Sequence, residues 1–338
     1  MLETITVNNP MDQPASSTSW MFPVTRLPSY TQEALDSPLT LRESGEHEQK
    51  RLWRKLLAPA EQTNELGRFA GYPVHTVLNH GVMALTYLIS LDKRQRACLK
   101  VLHPSLSWDT IAVQRFEREI QHLEAIRHPN VVRFLKCGIS CDPSRLLELP
   151  YFITEYVDGE SLEVFLQPQG KMDIACVVEF GKQLAAGLAA IHAKGMIHRD
   201  IKPGNVMVRR EISQVKIIDF GISREVVPNQ NITTENSILG TLSYMSPQQI
   251  QGQSLCQRSD LFSLGVVLYK LVTGQVPLLG DNFFELQCNL VHQDIQPVEA
   301  LRPECPPGLA HILDHLLRKN PEDRVRSAEE LRSRRSVL

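Results

Sequence analysis

The 338-residue chain predicts an α+β fold of two lobes, a small antiparallel β-sheet lobe and a larger α-helical lobe. Three observations carry that expectation. Between residues 74 and 156, short apolar and β-branched runs alternate with turn signals, interrupted by one amphipathic helix. After Gly159 the apolar spacing becomes mainly helical. Hydrophobic residues form 42% of the chain and charged residues 22%, enough apolar material for a core.

Residues 1–45 are rich in Ser, Thr and Pro and show no sustained periodicity. They read as part of a flexible N-terminal region spanning 1–65. A short helix is expected near 46–58, with Leu52, Trp53, Leu56 and Leu57 as a docking face and Pro59 as its stop. Strands are expected at Val74–Leu78, Ala84–Leu91 and Arg96–Leu102, separated by Asn-His-Gly and Asp-Lys-Arg turns. Trp108–Ile126 reads as a helix with Ile111, Phe116, Ile120 and Leu123 on one face. Two more strands follow near Val131–Cys137 and Tyr151–Tyr156. Long helices are expected at Ile174–Ala193, Ser259–Thr273 and Gly308–Lys319. One domain over 66–332 results, with a small lobe to 157, a large lobe from 158 and a tail at 333–338.

The charge balance excludes several function classes. With 36 basic and 38 acidic residues, the net charge of -2 offers no footprint for nucleic acid or an anionic membrane. The longest apolar runs, such as Leu261–Tyr269, stop well short of the ~18 residues of a membrane span. The seven cysteines contain no Cys-x-x-Cys pair and read as small hydrophobes in a reducing compartment, so a cytoplasmic location is expected.

The chemistry concentrates in residues 198–205, His-Arg-Asp-Ile-Lys-Pro-Gly-Asn, with Asp-Phe-Gly at 219–221. Phosphoryl transfer needs a carboxylate facing the acceptor hydroxyl, cations on the developing charge, and a metal held by oxygen ligands. Asp200, Lys202 and Asn205 supply those three types. Asp219 follows the apolar strand Val215–Ile218 as a second metal ligand. A surface turn is the plain alternative, and it explains neither the pattern nor the spacing.

This stretch resembles the catalytic and metal-binding loops of the protein kinase family, and the resemblance covers roughly residues 70–332. It implies a bilobal protein-kinase-like fold acting as a serine/threonine protein kinase with ATP and Mg²⁺, or Mn²⁺ in its place. Ala97-Cys98-Leu99-Lys100 resembles the strand whose Lys grips the nucleotide phosphates. Arg115-Phe116-Glu117-Arg118-Glu119-Ile120 resembles the helix whose Glu pairs with it; Glu119 is the partner, with Glu117 as the competing choice. Ile153 to Gly159 resembles the hinge, with Thr154 as gatekeeper and the backbone of Glu155 and Val157 facing adenine. The implied nucleotide site also takes in Leu78, Asn79, Gly81, Thr86, Cys98 and Met207. Gly240-Thr241 and Tyr244-Met245-Ser246-Pro247 resemble the substrate-facing end of an activation segment in bacterial members. Asp260 would anchor the catalytic loop. Arg199 would contact a phosphate on Thr233 or Thr234. Protein substrates bearing Ser or Thr are the implied partners, and oligomeric state is left open.

Two positions depart from the family pattern. The phosphate-covering hairpin Asn79-His80-Gly81-Val82-Met83-Ala84 keeps only the middle glycine, which predicts weaker ATP affinity unless Asn79 adopts the positive φ of a glycine. Gln248 stands where a Glu normally pairs with a buried Arg, here Arg324, which predicts an uncompensated charge unless Glu322 or solvent balances it. These departures keep open a pseudokinase that binds or scaffolds without turnover. A small-molecule phosphotransferase is a further alternative, disfavoured by the segment at 240–247.

Overall fold

The computed structural model describes residues 56–141, 147–168, 170–209, 213–220 and 240–333. They all fall within one unit, Gly45–Leu338. Its first layer is a six-stranded antiparallel sheet in the order β1-β2-β3-β4-β6-β5. The strands are β1 (Gly67–Phe69), β2 (Tyr72–His80), β3 (Ala84–Ser90), β4 (Arg96–Leu102), β5 (Phe134–Cys141) and β6 (Glu148–Glu155). Between β1 and β2, Ala70 and Gly71 both take positive φ, the mirror-image turn whose twist suits a two-residue hairpin.

Alternation sorts the two faces of this sheet. Leu85, Tyr87, Ile89, Leu99, Val101 and Ile153 point to one side and join Leu57, Phe69 and Val74 in an apolar core. Thr86, Cys98, Lys100 and Thr154, one residue out of phase, point to the other side. There α1 (Thr110–Glu124) packs, its Phe116 ring 5.2 Å from that of Phe152. Asp109 starts α1 by accepting hydrogen bonds from the backbone N–H of Ile111 and Ala112.

The second layer begins with the short strand β7 (Glu160–Ser161), α2 (Leu162–Leu166) and α3 (Ile174–His192). A three-stranded sheet pairs β7 with β8 (Val206–Arg209) and β8 with β9 (Gln214–Ile217). The helices α4 (Pro247–Ile250), α5 (Gln257–Thr273), α6 (Phe283–His292), α7 (Val298–Leu301), α8 (Pro307–Leu316) and α9 (Ala328–Ser333) complete it. Almost every residue of α5 from Ser259 to Val272 is buried, which marks it as the central helix. At Gly265 a Cβ would come within 2.8 Å of Leu316 Cβ, so glycine permits the close crossing of α5 and α8.

Several boundaries differ from expectation. The strand expected from Val131 starts at Phe134, because Val132 N–H donates to Ile217 O (2.8 Å) and Asn130 O accepts from Ile217 N–H (2.9 Å). That backbone links the segment before β5 to β9 instead. The helix expected over 46–58 lies outside the described residues up to 55. Its last residues are not helical: Leu56 and Leu57 form a turn and Ala58 pairs with Arg68, which seats Leu57 in the sheet core. Among the described residues, the 19-residue α3 is long and apolar enough to cross a membrane, unlike the shorter apolar runs such as Leu261–Tyr269. It buries Val177, Phe180, Leu184, Leu188 and Ile191 inside this layer.

Gln248 does not leave Arg324 uncompensated. Its Oε1 accepts from Arg324 Nη2 at 2.9 Å, and the carbonyls of Arg318, Arg258 and Lys319 take the other guanidinium donors at 2.7–2.9 Å. Glu322 pairs with Arg258 at 2.7 Å rather than with Arg324. The charge is therefore solvated by oxygen dipoles, although burial still pushes the Arg324 pKa down to about 10.

Candidate active site

Lys100 sits in β4, where strand alternation turns its side chain away from the apolar core and toward α1. Its Nζ donates to Glu119 Oε1 at 2.7 Å and to Asp219 Oδ1 at 3.2 Å. Burial opposes charge on Lys100, but Asp219 and Glu119 outweigh it and hold the pKa above the ordinary lysine value. Burial also raises the Glu119 carboxyl, opposed by Lys100. Glu119 rather than Glu117 is thus the partner, as the sequence favoured.

The catalytic-loop residues form the second half of the site. Asn205 Nδ2 donates to Asp200 O (2.8 Å) and to Asp200 Oδ2 (2.7 Å), and Lys202 Nζ lies 2.9 Å from the same carboxylate oxygen. Asp260, 1% exposed at the start of α5, accepts from the backbone N–H of His198 and of Arg199, both at 2.8 Å, and from His192 Nε2 at 2.8 Å. That is the anchoring role expected of it. Phe220 is buried against the His198 ring, with centroids 4.9 Å apart, and edge-on to His122 at 6.1 Å.

The sheet brings the remaining cleft residues together. Thr86 pairs with both Asn79 and Lys100, and Cys98 pairs with Thr154. Thr154 and Val157 are buried, Cys98 is half-buried, and burial with Asp219 and Glu155 nearby pushes its thiol up to about 12. Met207 lies in β8 opposite Ser161 and Lys216. Leu78 is exposed at the outer end of β2. Asn79 does not take the positive φ foreseen for it; it is an ordinary strand residue paired with Thr86, and no residue from 79 to 84 has positive φ. Gly81 serves close approach instead: its N–H donates to Ala84 O at 3.0 Å, and a Cβ there would meet that oxygen at 2.9 Å. Thr233 and Thr234 lie outside the described residues.

Three partners escaped the sequence reading. Lys216 Nζ meets Glu155 Oε1 at 2.6 Å, Gln249 Nε2 donates to Arg199 O at 2.7 Å, and Lys270 Nζ bridges Glu163 Oε1 and Tyr244 Oη at 3.0 Å each. Lys216 left the only hint, a lysine inside the apolar strand Val215–Ile218.

The family model for the protein kinase domain matches residues 72–335. The chain belongs to the protein kinase family. Its kinase domain is 34% identical over 266 residues to the serine/threonine-protein kinase PknB of Mycobacterium leprae, covering 78% of this chain and 42% of that one. It is 34% identical over 275 residues to a probable serine/threonine-protein kinase of Streptomyces coelicolor, covering 80% of this chain and 40% of that one. The chain thus spans about two fifths of the length of these curated relatives. The crystal structure of the PknI kinase domain of Mycobacterium tuberculosis shares the fold, with a TM-score of 0.60 at 23% identity over 81% of this chain and 97% of that one. The kinase falls with serine/threonine members, as the motifs implied.

Proposed function

We propose that the protein transfers the γ-phosphoryl group of ATP to serine or threonine hydroxyls of protein substrates. The observation that carries this is Lys100 held between Glu119 and Asp219, with Asp200, Lys202 and Asn205 interlocked beside it. Lys100 binds the α- and β-phosphates, and Glu119 fixes its position. Asp200 orients the acceptor hydroxyl and takes its proton as the new P–O bond forms and the bond to ADP breaks. Lys202 offsets negative charge on the transferred group.

Asn205 and Asp219 are the metal ligands in this reading. The Asn205 amide nitrogen is committed to Asp200, which turns its oxygen the other way, and the Asp219 carboxylate is partly exposed. Two protein oxygens plus phosphate oxygens suit Mg²⁺, which keeps most of its other ligands as water. When bound, Mg²⁺ neutralises phosphate charge. Thr86, Cys98, Thr154, Glu155, Val157 and Met207 surround the base, with Leu78, Asn79 and Gly81 on the lid side. Autophosphorylation at Thr233 or Thr234, read by Arg199, belongs to the same proposal, as do a kinase domain over 66–332 and a cytoplasmic location. All seven cysteines are unpaired, as in a reducing compartment.

The test incubates pure protein with labelled ATP and Mg²⁺ beside Lys100→Met and Asp219→Ala. Wild type should incorporate label, and each variant should lose on the order of 10²-fold or more in rate with an unchanged circular dichroism spectrum. No incorporation by wild type, with no thermal shift on adding ATP, would favour the pseudokinase.

A further inference from the structure

Arg199 is held at φ +71°, in the left-handed region that side chains other than glycine and asparagine rarely adopt. Such a residue persists only where its surroundings over-determine it. Three groups do so here. Asp260 takes the Arg199 N–H at 2.8 Å. His198 Nδ1 accepts the Asp200 N–H at 3.3 Å. Gln249, 4% exposed on α4, donates Nε2 to the Arg199 carbonyl at 2.7 Å. Both polar groups of the Arg199–Asp200 peptide are therefore tied, and that peptide sets the direction of the Asp200 side chain.

We propose that Gln249 is a positioning residue for phosphoryl transfer, holding the strained Arg199–Asp200 peptide so that the Asp200 carboxylate faces the acceptor. This rests on the kinase reading above. Its neighbour Gln248 points the other way, to Arg324 and Ser259, so the two glutamines of α4 have separate tasks. Gln249 also joins the end of the segment 240–247, the expected peptide-docking segment, to the catalytic loop. Its amide bonds to Arg199, which is not among the residues assigned to the nucleotide, so its removal should act on turnover and not on ATP binding.

The experiment is a strain-relief cycle. Gln249→Met keeps length and removes the donor; Arg199→Gly removes the backbone strain, because glycine takes positive φ freely. In the Arg199 background Gln249→Met should lower kcat about tenfold and leave KM for ATP within about twofold, the penalty of a slightly misplaced catalytic group. In the Arg199→Gly background the same substitution should change kcat by less than about twofold, because there is no strained state left to hold. Gln249→Glu, which keeps polarity but cannot donate, should match Gln249→Met. An equal penalty in both backgrounds, a parallel rise in KM, or unaltered kcat would each overturn the proposal. So would loss of cooperative urea unfolding in both Gln249 variants, since Gln249 would then serve the fold. Wild type assayed alongside separates the two readings: an inactive wild type overturns the kinase reading itself, whereas an active wild type matched by Gln249→Met overturns only this one.

Discussion

His198 combines two roles, of which the first requires a neutral ring. Its Nδ1 accepts the Asp200 N–H, and its face lies against Phe220. Burial lowers its pKa below the ordinary 6.5, opposed by Asp260, Asp200 and Asp219. An unfolded chain protonates this histidine near 6.5 and the folded chain only at lower pH. Below about 6.5 the unfolded state therefore binds more protons, and stability falls as the pH drops through that window. Urea midpoints measured from pH 7.5 to 5 should show this loss. His198→Tyr should lower the whole curve, since the Asp200 N–H loses its acceptor, yet flatten the acid slope; an unchanged slope would refute the assignment. His122 faces Phe220 from α1 and is also lowered, by burial and then by Arg199 and Arg118, so part of the slope should remain.

Among the elements, α4 and the turn at Arg324 show how an altered pair is accommodated. Gln248 gives one oxygen to Arg324 and one N–H to Ser259 Oγ at 2.8 Å, so the amide is used at both ends. Gln248→Glu should stabilise by about 1 kcal/mol in urea unfolding, the difference between a neutral and a charged hydrogen bond. Gln248→Leu should cost about 2 kcal/mol by leaving buried groups unpaired. Loss of stability in the Glu variant would mean that the Ser259 bond matters more than countercharge. The sequence made most elements legible, because β4 and α5 carry unbroken apolar patterns: β4 matched its expected range and α5 began two residues early. It misread the start of β5 because Asn130–Val132 bond to β9, some 85 residues along the chain, which no local pattern records. Asp200, Lys202 and Asn205 were legible from one eight-residue stretch, and Lys100 from its strand. Gln249 and Lys216 were not, since their partners are a distant carbonyl and a distant carboxylate.

At the scale of the molecule, Lys216 in β9 and Glu155 at the end of β6 form a tie between the two layers. Glu155 Oε1 also accepts the Arg133 N–H at 2.9 Å, and Lys216 is 8% exposed. Lys216→Met should cost about 1–2 kcal/mol, because a half-buried carboxylate loses its charged partner and keeps only the Arg133 N–H. Lys216→Met with Glu155→Gln should recover most of that in thermal unfolding; additive losses would argue against coupling. The hairpin β2–β3 turns at Val82, which is 94% exposed, and its Thr86 pairs with Lys100. Its backbone uses no left-handed residue between 79 and 84. Each glycine replaced in a compatible conformation removes roughly 0.4–1 kcal/mol of backbone entropy from the disordered state. In the nucleotide site proposed above, Asn79 and Ala84 therefore leave the hairpin fewer backbone shapes than glycines would. On that proposal, what reads as erosion of a glycine motif leaves, in entropic terms, a lid partly ordered before its nucleotide arrives.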